Sequence, residues 1–523
     1  MKAGFSVFLF LCTLIGQAQI DVQHYRFEIE LNDQSDGIVG KALVTIKFLS
    51  DASEVRLDLV SQEDEDGMTA YQVLEQRQRL VSSHKDNVLL FQLTKPAKKG
   101  EERTFEIDYM GKPKDGLIIS RNQYGDRTFF ADNWPNRAHN WIPCNDNPAD
   151  KASVEFVVTA PSQYKVISNG LLVEEKAIDA NRKRTYWKED TPISTKVMVI
   201  GAARFAVTRV DSGYRVPVTA WVYPQDSAKG AYDYALADDI LGYMEKYVAP
   251  YPYKKLANVQ SKTIFGGMEN ANTIFYAENT VTGNRSSEAL LAHEIAHQWF
   301  GNTATEKSFT HLWLSEGFAT YFTSLYMEQK YGEDSFQKRL QDDRRQVIQF
   351  VRTFNHPVVD STTDYMDLLN ANSYQKGSWV LHMLRRTIGD EGFRKSIKAY
   401  YNQYKGSNAD TRDFQRVVEE TTGAKLDTFF RQWLYQPGVP KLDVRWRQQP
   451  NKAIELNVLQ QSKVLYQLPL EIGIVYKDGS KEVQRVNISK AAESFQVPVK
   501  DMPAKVILDP NTNLLFDGKI SEL

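Results

Sequence analysis

The hydrophobic rhythm of this chain changes twice, and that double change restricts its architecture more than any other feature. Apolar and polar residues first alternate: Tyr25, Phe27, Ile29, Leu31, then Ala42, Val44, Ile46, Phe48, then Val55, Leu57, Leu59, and later Phe105, Ile107, Tyr109. A period of two is that of a strand with one face buried, and its repetition with short turns predicts an antiparallel β domain over residues 19–210. From about residue 226 the spacing lengthens, so that Leu236, Ile240, Leu241, Met244 and Val248 share one face of a helix, and helical patterning runs on to Leu434. After Gln436-Pro-Gly-Val-Pro440 the alternation returns in Leu442, Val444, Trp446 and Ile454, Leu456, Val458, and it closes on a strand from Val506 to Leu508 before an Asp-Pro-Asn turn. The order predicts a multidomain α+β protein: β domain to 210, mainly helical domain over 211–437, small β domain over 438–523.

A length of 523 residues gives two to four domains room for real cores, and 42% apolar with 25% charged residues excludes a disordered or fibrous chain. Lys plus Arg (64) nearly balance Asp plus Glu (66), so there is no basic surplus of the kind a phosphate backbone needs, and nucleic acid is not an expected partner. Residues 1–18 read apart from the rest: Lys2, an apolar run from Phe5 to Ile15, and Gly16-Gln17-Ala18 resemble a secretory signal peptide. The run is about half of the ~20 residues a spanning helix needs, so the expectation is a chain beginning near Gln19, exported to the periplasm or beyond, with no stable membrane insertion. Cys12 leaves with that leader, which strands Cys144 without a partner and assigns stability to packing.

The chemistry is concentrated in Leu290-Leu-Ala-His-Glu-Ile-Ala-His-Gln-Trp-Phe-Gly301. Ser286 or Ser287 can cap its start and Gly301 suits its end, which predicts a helix of about fifteen residues. His293 and His297 are four apart, so on a helix their imidazoles project from one face and can share a metal ion. Glu294 lies about 100° round from His293, too far to join them as a ligand and well placed for a water on that metal, as a general base. Two histidines leave a zinc site incomplete, and Glu316, in Trp313-Leu-Ser-Glu-Gly-Phe-Ala319 at the start of a second helix, supplies the third ligand if a helix hairpin folds it back.

With these segments in place the sequence resembles the zinc aminopeptidases related to aminopeptidase N and the leukotriene hydrolase, a gluzincin family. Five stretches carry the likeness: Gly266-Gly-Met-Glu-Asn270, His293 to Asn302, Trp313 to Ala319, Tyr374-Gln-Lys-Gly377 and Trp141-Ile-Pro-Cys-Asn-Asp-Asn-Pro148. The resemblance implies a saddle-like N-terminal β domain, a thermolysin-like catalytic domain and a small C-terminal β-sandwich, in a short form without the helical domain of larger members. It implies one Zn2+ per chain on His293, His297 and Glu316. It further implies a substrate-binding stretch of Gly266, Gly267, Met268, Glu269 and Asn270, in which Glu269 meets a free α-ammonium, and a transition-state role for Tyr374. Two departures stand out. Where the family carries a Gln-x-Glu or Gln-x-Gln pair that shares the amine, this chain has Asp132-Asn-Trp134, and Asp132 either supplies a second anion or is a turn residue; and Ser315 stands where Asn is common. The expected function is a secreted zinc aminopeptidase acting on peptides with a free N-terminus. The rivals are a metalloendopeptidase, a catalytically inactive peptide-binding relative and a leukotriene-type hydrolase.

Overall fold

The computed structural model describes residues 19–211, 213 and 216–523, so the expected signal peptide lies outside the described residues. The alternating segments form the strands they predict. Ile20–Glu30 and Ile38–Phe48 pair antiparallel within an eight-stranded sheet, with Tyr25, Phe27 and Ile29 buried on one face. The sheet is nevertheless mixed, because Ile20–Glu30 also runs parallel to Lys151–Pro161, setting Phe27 beside Phe156 with their rings 5.3 Å apart. More than one hundred residues separate those two strands, long enough for a crossover that brings the chain back in the same direction, which alternation alone does not report. A smaller sheet of Lys165–Ser168, Ile200–Ala203, Arg127–Ala131 and Leu117–Arg121 delivers the segment after Ala131 to the edge of the catalytic region.

That region is not helical throughout. A five-stranded sheet, in the order Ala206–Arg209, Val218–Val222, Leu256–Ser261, Thr273–Ala277, Gly267–Met268, stands before and among the helices. Its first strand begins at Ala206, ahead of the expected boundary at 210/211. The sheet escapes the period-two pattern because Leu256–Ser261 is buried along its whole length on both faces, and a strand packed on two sides has no polar face to alternate with. Helices then dominate: Glu288–Ala296, Trp313–Tyr331, Glu333–Phe350 and Gly377–Tyr404.

The last part consists of two sheets, Ala492–Pro498, Ala453–Gln460, Lys441–Gln449, Asp517–Glu522 and Lys481–Ile488, Leu468–Tyr476, Pro503–Leu508. They are not set apart from the helices: Trp433 and Tyr466 lie 5.4 Å apart, and the buried His382 ring meets the Thr512 carbonyl at 3.0 Å, so one continuous core runs through both. Cys144 is buried and unpaired. No helix among the described residues is long and apolar enough to cross a membrane.

Candidate active site

The helix that carries the histidines spans Glu288–Ala296 and ends four or five residues earlier than its pattern suggests. Ser287 does not cap it; its hydroxyl donates to the Thr280 carbonyl at 2.8 Å instead. His297 still keeps its amide bond to the His293 carbonyl at 3.2 Å, so the two rings remain one turn apart on one face. Beyond it the chain tightens to Gly301, whose positive φ of 114° and close approach to the Ser315 hydroxyl admit no side chain. That hydroxyl and the Phe300 carbonyl both lie 3.1 Å from His297 Nδ1, which orients the ring so that Nε2 faces inward.

Glu316 arrives from Trp313–Tyr331, as a returning second helix requires. Its Oε2 lies 3.3 Å from His293 Nε2 and 3.3 Å from His297 Nε2, and the two nitrogens are 3.0 Å apart. Three donor atoms at these separations form one face of a small tetrahedron, since ligands ~2.0–2.1 Å from a tetrahedral ion are about 3.3 Å from each other. Charge supports the same reading. Burial alone would raise the Glu316 pKa, yet His297 and His293 hold it below the ordinary carboxylate range. Burial likewise opposes a proton on His297, yet Glu316, Glu269 and Glu294 push its pKa up to about 10. Three carboxylates converge on two imidazoles in a cavity whose lining contains neither lysine nor arginine, and a divalent cation answers that imbalance.

Glu294 faces the same cavity of about 330 Å³. Burial raises its pKa well above that of a free carboxyl, and Glu269 and Glu316 add to the effect against His297. The Gly267–Met268 strand passes directly over it: a Cβ on Gly267 would stand 2.3 Å from Glu294 Oε1. Glu269 follows, 5% exposed, with its Oε1 unpartnered among the described residues. Its backbone is pinned from below, where Gln298 Nε2 and Asn302 Nδ2 donate to its carbonyl at 2.9 and 2.6 Å.

Tyr374 closes the opposite wall from a turn of π-helix, Asn372–Lys376, in which the Lys376 amide reaches back to the Ala371 carbonyl at 2.8 Å. Its ring lies nearly parallel to that of His293, 5.8 Å away at 12°. Burial, with Glu316, Glu269 and Glu294 nearby, raises its pKa well above 10, so the hydroxyl is a proton donor at neutral pH. A close helix crossing seats this turn over Glu316: a Cβ on Gly317 would come within 2.9 Å of the Gly377 backbone, so only two glycines let the chains meet there.

Two expected residues do not join the group. Asp132 is fully buried outside the cavity, and both of its oxygens are taken: Oδ1 accepts from Arg137 Nη2 at 2.7 Å, Oδ2 from Thr263 Oγ1 at 2.9 Å and the Ile264 amide at 3.0 Å. Paired with a guanidinium, tied to the loop before Gly266 and absent from the cavity lining, Asp132 serves the wall of the site and is not placed to meet a substrate amine. Asn270 is buried beneath the strand and does not line the cavity.

The chain matches two models of one family, the Peptidase M1 N-terminal domain over residues 21–197 and the Peptidase family M1 domain over residues 232–433, together more than half of its length. The chain belongs to the M1 peptidase family. It is similar to "Probable aminopeptidase 2" of Sulfurisphaera tokodaii, 26% identical over 95% of this chain and 65% of that protein. It is similar also to "Leucyl aminopeptidase" of Saccharolobus solfataricus (27%, covering 81% and 56%) and to "Glutamyl aminopeptidase" of Homo sapiens (29%, covering 60% and 34%). In each case the chain spans less than two thirds of the relative's own length. Within this M1 chain the supporting roles of Gln298, Asn302, Arg137 and Ser315 were not read from sequence. Gln298 and Asn302 lie past the end of the helix, in the turn after His297, where no spacing rule applies, and Arg137 lies in a loop of the β domain.

Proposed function

We propose that this chain is a zinc aminopeptidase with one Zn2+ held by His293, His297 and Glu316. The observation that carries the direction of cleavage is Glu269, a buried carboxylate with a free oxygen in the same cavity as the metal-ligand triangle. A carboxylate so placed is suited to a substrate ammonium, which fixes the substrate by its amino end and leaves the first peptide bond over the triangle. When bound, zinc supplies a Lewis acid that polarises a carbonyl and lowers the pKa of water to about 7. Glu294, with its raised pKa, takes the proton of the attacking water and passes it to the leaving amine nitrogen. Tyr374, protonated throughout the working range, donates its O–H to the carbonyl oxygen as negative charge builds there. Gly267 and Gly266 let the substrate backbone lie against the strand that precedes Glu269. The leader-like pattern of residues 1–18 supports export, to the periplasm or outside the cell.

A decapeptide digested with and without chelator, in free and N-acetylated forms and followed by mass spectrometry, tests the reading. Residues should leave one at a time from the free amino end, and the acetylated form should persist. Glu269→Ala should keep its metal and lose kcat/KM equivalent to about 2–5 kcal/mol. Internal fragments, or equal cleavage of the acetylated peptide, would make it an endopeptidase; no cleavage with zinc bound would make it a peptide-binding relative.

A further inference from the structure

Resting on that reading, we propose that the preferred substrates carry a large apolar N-terminal residue, and that Trp134, supplied by the β domain, is a specificity-determining residue. The charged residues that line the cavity are the metal triad, Glu294 and Glu269, each already assigned to metal, base or amine. What remains is apolar: Trp134, Phe265, Met268, Leu290 and Leu369, beside Tyr374 and the two glycines. The side chain of an N-terminal residue branches from the same carbon as the ammonium, so it lies beside Glu269. The chain leading to Glu269 is Phe265-Gly-Gly-Met268, and the Trp134 ring stands edge-on to Phe265, 6.2 Å away at 89°.

This aromatic wall is set before substrate arrives. Arg137 donates from Nε to the Trp134 carbonyl at 2.7 Å, lies over the Phe265 ring at 5.9 Å and pairs with Asp132, whose other oxygen holds the Thr263–Ile264 turn before Phe265. Phe309 backs Trp134 from behind, 5.6 Å away. One ion pair therefore fixes both rings, so Asp132 and Arg137 are positioning residues for the pocket. A leucine, methionine or phenylalanine side chain buries apolar area against a rigid wall and should exceed alanine in kcat/KM by about 10- to 100-fold. A glutamate or lysine side chain would lose its hydration with no opposite charge left to receive it, and should fall at least about 100-fold below leucine.

The zinc-loaded enzyme assayed on peptides X-Ala-Ala-Ala-Ala, with X as Leu, Met, Phe, Ala, Glu or Lys, tests this without any variant. Leu, Met and Phe should lead. If Ala, Glu or Lys equals or exceeds Leu while a free amino terminus is still required, the specificity proposal is overturned and the aminopeptidase reading stands; cleavage of the acetylated peptides overturns the reading beneath it. Trp134→Ala should then lower the Leu-to-Ala ratio of kcat/KM by about tenfold or more, and Trp134→Phe should restore most of it. An equal loss across the panel in both variants would assign Trp134 to folding and remove its part in selection.

Discussion

Gly266 and Gly267, at the entry to the strand over the site, should respond to a single methyl group to very different degrees. The Cβ of Gly267→Ala would stand 2.3 Å from Glu294 Oε1, 2.6 Å from its Cδ and 2.7 Å from its Cγ. Ordinary contact begins near 3.4 Å, so the carboxylate must retreat by roughly 1 Å, and a displacement of that size at a reacting group costs about 10²-fold in rate, or about 2.7 kcal/mol. The atoms that must move belong to a side chain and not to packed backbone, and Gly267 has no positive φ to protect. The fold and the metal ligands should therefore survive. Gly266→Ala is the comparison: its Cβ meets nothing closer than the Leu290 methyls at 3.9 Å, so Glu294 stays in place and kcat falls far less, with any loss from crowding the substrate backbone expected in KM. The assay is kcat on a free peptide, with metal content and melting temperature measured on the same preparations. A Gly267→Ala enzyme that turns over within about threefold of the parent would refute the idea that this close approach places the base.

Removing ligands should separate metal from chemistry: Glu316→Ala should lose bound zinc by metal analysis, whereas Glu294→Gln should keep about one equivalent and lose turnover. Asp343 sits on the buried stripe of Glu333–Phe350 with Phe336, Leu340 and Val347, its Oδ2 unpartnered among the described residues, and burial raises its pKa to about 7. Between the unfolded value near 4 and the folded value near 7 the native state holds a proton the unfolded chain has released, so stability falls as pH rises through that window. Asp343→Asn should raise the melting temperature at pH 8, a gain of up to about 4 kcal/mol by linkage, and leave it unchanged near pH 4; an equal gain at both pH values would show that charge is not the cause. Lys196 pairs with Glu306 in full burial across the β and catalytic domains. Lys196→Met alone should cost about 3–5 kcal/mol in thermal or urea unfolding, and the double change with Glu306→Leu should recover most of it; additive losses would deny the coupling.

What the linear order determined was everything set by local spacing. Strands with one wet face, such as Ile20–Glu30, announce themselves because burial and exposure alternate along the chain, and the histidines four apart share a metal because a helix repeats near that interval. Glu316 was legible for a similar reason: one helix following another returns its first turn to the neighbour. The strand Leu256–Ser261 was not legible, since burial on both faces erases the alternation, and the parallel pairing of Ile20–Glu30 with Lys151–Pro161 depends on a crossover no window of residues contains. Asp132 shows the sharper limit. Standing where the resembled family carries its amine-sharing pair, it is either a second anion for the amine or a turn residue by sequence, but whether a carboxylate is free depends on what else reaches it, and Arg137, Thr263 and Ile264 reach it first. The same holds for Glu269, whose free oxygen is defined by the absence of a partner among the described residues in a cavity walled by both domains. Residue types and intervals decide which groups can do chemistry; which of them are left unpaired to do it is decided only when distant segments pack, because a hydrogen bond or ion pair is a property of two places in the chain at once.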